Sequence, residues 1–272
     1  MRKVLLLTSL LLVGIVLSAC GDSGTEKVTV GISGTDTVVW DYVAEKAAEE
    51  DIEIEIVTFN DYVQPNTALA DGEIDLNSFQ TVAYFDEFIE ERDLDLVPIG
   101  TTNLAPMGIY SDSLSDVTEI PDGGTIAVPN DVSNQGRALM LLEDAGLITL
   151  VEDYNGLDSL ENAIVENPHD YQFEAVAPAQ IPRALGDVDF GVINNGIAKD
   201  AGLHPIHDSI YREDDTATDY VNIIASNAED ANNETYNRIA ELYQEADTAE
   251  FIEEEYDGAL IPTVLELSEI GW

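Results

Sequence analysis

Positive charge is what this chain has least of. Ten lysines and arginines stand against 55 aspartates and glutamates in 272 residues, a formal charge of −45 at pH 7. Only four of the ten are lysines: Lys3, Lys27, Lys46 and Lys199. The acids are spread along the whole chain, so the charge belongs to the entire surface. No basic stripe is present to neutralise phosphates, which excludes nucleic acid as a partner. Anionic lipid would repel the same surface. A surface this acidic and this poor in lysine is expected of a protein working in concentrated salt, where counterions screen its self-repulsion. An acidic protein in ordinary salt is the alternative.

Reactive residues are scarce too. Cys20 is the only cysteine, so no intramolecular disulfide can form. The three histidines, His169, His204 and His207, lie in polar, loop-like stretches. "HPIH" brings two of them together, but no third ligand cluster follows and no metal is called for. G-x-S-x-G, phosphate-loop and zincin motifs are missing. Carboxylate pairs cannot be singled out where acids are everywhere. With no nucleophile–base pair, a secreted enzyme has nothing here to work with, and no cofactor is called for.

The N-terminus carries the first positive signal. In "MRKVLLLTSLLLVGIVLSACGDSGTEK", Arg2 and Lys3 precede an apolar run from Val4 to Val16. That is the pattern of a cleaved export signal, and the run is short for a bilayer crossing. "LSAC-G" follows, with Cys20 where the small-residue cleavage site belongs, and then the small, polar stretch "GDSGTEK". Residues 1–19 therefore read as signal peptide and 20–27 as a tether. Cleavage before Cys20 would remove two cations and no acids. The "LSAC" stretch resembles the lipobox of bacterial lipoproteins, whose cysteine takes a diacylglyceryl group. The resemblance implies an extracytoplasmic protein held at the membrane through lipidated Cys20.

From Lys27 onward strands and helices alternate. "KVTVGIS" is a β-branched run, "TVVWDYVAEKAAEE" has Val39, Val43 and Ala47 at helical spacing, and "IEIEIVTF" alternates as a strand does. "QPNTALADGEI" starts a helix after Pro65 and stops it at Gly72. "LDLVPIG", "TIAVPN", "DFGVIN" and "YVNIIAS" read as further strands. "GRALMLLEDAGL", "ETYNRIAELYQ" and "AELYQEADTAEFIEEEY" read as helices. The pattern predicts an α/β fold with mainly parallel sheets, in two lobes at this length.

In open α/β sheets ligands bind beyond the carboxyl ends of strands. The segments there offer aromatics, amides and one arginine. Tyr62, Phe79 and Tyr84 can line an apolar pocket, and Asn134, Asn194 and Asn222 supply fixed polar groups. Arg137 falls in the first turn of the expected helix, where the backbone dipole is already positive. Either a ligand carboxylate or a protein acid such as Asp131 would offset that placement.

"FNDYVQPNTALADGEIDLNSFQ", "PNDVSNQGRAL", "IVENP", "IPRALGDVDFGVIN" and "DYVNIIA" resemble, in order and spacing, the methionine-binding lipoproteins of ABC importers, the MetQ/NlpA family. The likeness runs from about Val28 to Pro262. It implies a type II periplasmic-binding-protein fold, two α/β lobes with a ligand cleft between them. Lobe I would be 28–109 plus 219–272 and lobe II 110–218, with crossings near Met107–Tyr110 and Thr218–Tyr220. The resemblance implies that Arg137 takes the ligand carboxylate, that Asn194 and Asn222 hold its polar backbone, and that Tyr62, Phe79 and Tyr84 pack round a thioether. It implies a permease and an ATPase as partners. One position departs: "FQTVAY" has Thr81 and Ala83 where the family has histidine and proline. L-Methionine is the first expectation, with D-methionine, an analogue or a short peptide as alternatives. A lipoprotein of the same fold serving adhesion or signalling is a further alternative.

Overall fold

The structure is a computed structural model that describes residues 25–272. The export signal and Cys20 lie outside the described residues. The chain runs β1 (Glu26–Ser33), α1 (Val38–Ala48), β2 (Ile52–Phe59), α2 (Gln64–Ala70), β3 (Leu76–Asn77), α3 (Val82–Arg92), β4 (Leu96–Thr101) and β5 (Asn103–Leu104). It continues with β6 (Gly108–Tyr110), β7 (Thr125–Pro129), α4 (Val132–Asp144), β8 (Thr149–Leu150), α5 (Leu160–Ala163), β9 (Ile164–Glu166), β10 (Gln172–Val176), α6 (Ile181–Ala184) and β11 (Phe190–Ile193). The last part is α7 (Asn195–Asp200), β12 (Tyr211–Arg212), β13 (Ile223–Asn227), α8 (Glu234–Gln244), α9 (Ala246–Tyr256) and β14 (Ile261–Pro262).

Two five-stranded sheets organise these elements, in the orders β2-β1-β3-β13-β4 and β10-β7-β11-β6-β12. They define two lobes. The expectation of mainly parallel sheets holds for four of the five strands in each, which run in one direction. β13 runs antiparallel to β3 and β4, and β6 runs antiparallel to β11 and β12. Each antiparallel strand is the one the chain reaches by crossing from the other lobe, so it enters its sheet from the cleft side. Local hydrophobic pattern carries no record of that direction.

The sheet pairing also shifts expected boundaries. β1 begins at Glu26, so the last two residues expected in the tether are strand, with Lys27 opposite Glu53 and its ammonium 2.5 Å from Glu55. β6, which a boundary after residue 109 would divide, lies wholly in the second sheet. "AELYQEADTAEFIEEEY" contains a break at Glu245, which has extended backbone and ends α8 while starting α9. Lys46 and Arg238 both hold the Glu245 carboxylate at that corner.

The amphipathic readings are carried into packing. Val39, Val43 and Ala47 are buried on one face of α1, together with Trp40. They pack with Val28, Val30 and Ile32 of β1 and with Ile239 and Tyr243 of α8. Edge strand β2 keeps Glu53 and Glu55 in solvent, which protects the open sheet edge. In the second lobe Leu139 and Leu142 of α4 close over Ile126 and Val128 of β7. α4 can lie there because residue 136 is glycine: a Cβ at that point would collide with the Gly156 backbone.

Candidate functional site

A cleft between the two sheets has an empty volume of about 1080 Å³, part of it open to solvent. All eight residues expected to touch a ligand line it: Tyr62, Phe79, Thr81, Tyr84, Asn134, Arg137, Asn194 and Asn222.

The first lobe supplies the aromatic end. The rings of Tyr62, Phe79 and Tyr84 lie with centroids 5.9 to 6.2 Å apart, two of the three contacts edge-on. The Tyr84 hydroxyl donates to the Tyr62 carbonyl at 3.0 Å. Burial pushes both phenols well above their ordinary range, with the nearby Asp131 carboxylate adding to it, so both rings stay neutral. Beneath them Asn66, Asn77 and Gln80 form a buried amide network. Asn66 and Gln80 exchange two hydrogen bonds of 2.7 Å, and Asn77 donates to Asn66 at 2.8 Å. This network fixes the turn that presents Phe79 and Thr81. Sequence pattern does not single this network out. Asn66 lies 11 residues before Asn77 and 14 before Gln80, so no local period marks the set.

Thr81 caps α3. Its hydroxyl oxygen accepts the Tyr84 N–H at 3.2 Å, as threonine at a helix N-cap does. Its backbone pairs with Asn222. Where the resemblance implied a histidine, the cleft wall thus carries a short side chain whose oxygen already serves the helix.

The second lobe supplies the polar end. Asn194 donates to Asn134 at 2.7 Å, and Asn134 donates to Asp131 at 2.8 Å. Asp131 is the N-cap of α4 and accepts the Asn134 backbone N–H as well. Burial holds its carboxyl above the ordinary range, partly offset by those bonds. Asn194 Oδ1 is buried and has no partner among the described residues. Asn222, from the second crossing, is fixed through Asn103, to which it donates at 3.1 Å.

Arg137 lies at the junction, with only 3% of its surface exposed. α4 begins at Val132, so Arg137 sits in the second turn and not the first, beyond the reach of most of the dipole penalty. Its internal partner is not Asp131. Nε and Nη2 grip Glu213 at 2.7 and 2.6 Å, and Nη2 also donates to the Ala105 carbonyl at 3.1 Å. The guanidinium stands 4.5 Å from the Tyr220 ring centroid. Only Nη1 makes no hydrogen bond to a described residue. The bidentate edge expected to receive a ligand is therefore occupied by protein, and Nη1 is the part left for the cleft.

Contacts bridge the lobes on both sides of the cleft. Glu87 of α3 accepts the Ser133 N–H of α4 at 2.9 Å. Opposite, Lys199 pairs with Asp36 at 2.5 Å, and Asp200 accepts from Thr35 Oγ1 at 2.8 Å and from its N–H at 3.1 Å. Gly34, at φ +90°, lets Asp200 approach where a Cβ would block it. Among the described residues no group of three His, Cys, Asp or Glu side chains could hold a metal ion. None of their helices is long and apolar enough to cross a membrane.

The NlpA lipoprotein family model matches residues 28–264. The chain belongs to the NlpA lipoprotein family. Lipoprotein YhcJ of Bacillus subtilis is 38% identical over 272 residues, covering 100% of this chain and 97% of the relative. The D-methionine-binding lipoprotein MetQ of Escherichia coli is 36% identical over 263 residues, covering 94% of each. A solved nutrient-binding protein from Burkholderia cenocepacia, bound to methionine, superposes with a TM-score of 0.83 at 37% identity, covering 87% of this chain and 99% of that one. Two α/β lobes around a cleft are the fold shared with these substrate-binding proteins.

Proposed function

We propose that the cleft captures methionine, L-methionine first, and that the protein hands it to a membrane permease driven by an ATPase. One observation carries the reading: a polar end and an aromatic end face each other across one cleft. At the polar end Nη1 of Arg137 is left for a carboxylate, and the orphaned Oδ1 of Asn194 accepts from an ammonium. At the other end three aromatic rings suit a thioether. The methionine-bound neighbour and the MetQ relative support that ligand class. The protein performs no covalent chemistry in this reading.

Mass spectrometry of ligand released from purified protein, followed by calorimetry with L- and D-methionine, tests it. Binding of L-methionine at micromolar or tighter affinity is expected. Stronger binding of D-methionine, an analogue or a methionine-containing peptide would replace the ligand. No binding of any of them would favour an adhesion or signalling lipoprotein. Thr81, with no ring at its position, is the residue to revert to histidine if the stereochemical preference differs.

The same reading places the protein outside the cytoplasm, held by acylated Cys20. Cys20→Ala is expected to release it from the membrane fraction; retention would exclude the anchor. The acidic surface fits a saline setting, and the melting temperature is expected to rise with NaCl. A flat salt profile would remove that part.

A further inference from the structure

Glu213, just after β12 on the way to the second crossing, has no role in the reading so far, and no sequence motif singles it out. Its side chain is 10% exposed and accepts three close hydrogen bonds. Arg137 gives two, at 2.7 and 2.6 Å, and the Met107 N–H gives the third at 2.6 Å. The Glu213 N–H in turn donates to the Met107 carbonyl at 3.0 Å. Met107 belongs to the first crossing, and Ala105, which accepts from Arg137, lies two residues before it. The guanidinium is thus pinned on one edge by an anion and beneath by Tyr220, and it is tied to both connections between the lobes.

A bare buried guanidinium attracts any carboxylate. One already paired with a buried anion is close to neutral as a unit. A ligand carboxylate that docks on Nη1 then lies near Glu213 with no net charge to receive it. It must bring its own cation, because an uncompensated charge in a buried site is costly. The groups round the cleft favour such a cation: the unpartnered Asn194 Oδ1, and beyond Asn134 the Asp131 carboxylate. We propose that Glu213 is a positioning and selectivity residue, which holds Arg137 in place and cancels its charge so that the cleft accepts zwitterionic amino acids and rejects anions of the same shape. The proposal rests on the reading of the cleft as an amino-acid site.

The test compares L-methionine with its 2-hydroxy analogue, which has the same thioether and carboxylate but no ammonium. Calorimetry uses the wild type, Glu213→Gln and Glu213→Asp. The wild type is expected to favour methionine by about 100-fold or more, the scale of an uncompensated buried charge. Glu213→Gln is expected to narrow that ratio at least about tenfold, mainly by tightening the hydroxy acid. Glu213→Asp keeps the charge but withdraws it, so the ratio is expected to persist while both ligands weaken. A wild type that binds both within about threefold overturns the proposal and leaves the amino-acid reading standing. So does a folded Glu213→Gln protein with the wild-type ratio, or a Glu213→Asp protein that loses the ratio. A wild type that binds neither ligand removes the reading and the proposal together. If Glu213→Gln does not fold, the wild type and Glu213→Asp still decide between these outcomes.

Discussion

The two lobes use the same sheet plan and contribute opposite chemistry. In each, four strands run in one direction, and a single antiparallel strand, β13 or β6, lies between the third of them and the far edge strand. Yet the first lobe lines the cleft with Tyr62, Phe79 and Tyr84, whereas the second lines it with Asn134, Arg137 and Asn194. The plan decides where a ligand can lie, beyond the strand ends of both sheets. The side chains in those few segments decide what it can be. The supports differ as well. The aromatic end stands on a neutral amide network, and the polar end stands on buried charges, Arg137 with Glu213 and Asp131 with Asn134. The polar end is therefore the one where a single substitution disturbs both binding and stability.

Arg137→Ala is the most damaging change expected. It removes the carboxylate partner and leaves Glu213 buried and unpaired, which costs about 3–5 kcal/mol of stability. Methionine binding should fall below detection by calorimetry, and denaturant unfolding should show the stability loss. A variant as stable as the wild type would mean that Glu213 finds water or another partner. Phe79→Ala probes the opposite lobe. Phe79 is half-buried, so the fold should lose only about 1 kcal/mol, while methionine affinity should drop about tenfold. Equal loss of stability at the two sites would erase the contrast between the lobes.

The smallest effect expected is a pH dependence. Burial raises the Asp131 and Glu87 carboxyls above their unfolded values. In the native state each then binds its proton more readily than in the unfolded chain. The cost of keeping them charged is present above the native pKa and fades as pH falls through it. Asp131→Asn keeps an acceptor for the Asn134 N–H and removes the charge. It is expected to raise the melting temperature slightly at pH 8 and to give no gain near pH 4. A gain of the same size at both pH values would show that charge burial is not the cause.

Much of the fold could be read from local pattern. β-Branched runs became β1, β4, β7, β11 and β13, and α2 ends before Gly72 as expected but begins at Gln64, so that Pro65 lies within its first turn. All eight expected site residues reach the cleft, because strand ends are where such a fold can hold a ligand. Three things were not legible. The antiparallel entries of β6 and β13 depend on the direction of each crossing. The Asn66–Asn77–Gln80 network depends on side chains meeting inside a turn. Lys199 with Asp36, and Glu213 with Arg137, join residues 163 and 76 positions apart.

Arg137 shows where that division falls. The sequence by itself determined that this cation, in a chain with almost none to spare, sits in a helix that begins beyond a strand end and must meet a carboxylate. It also determined an acidic exterior and the aromatic residues available to a cleft. Only the tertiary structure decided which carboxylate. Folding brings Glu213 from beyond β12 against two of the guanidinium's nitrogens before any ligand arrives, and it leaves one nitrogen free. A hydrogen-bonded pair of that kind depends on ångström-scale approach between distant segments, and no local spacing encodes it.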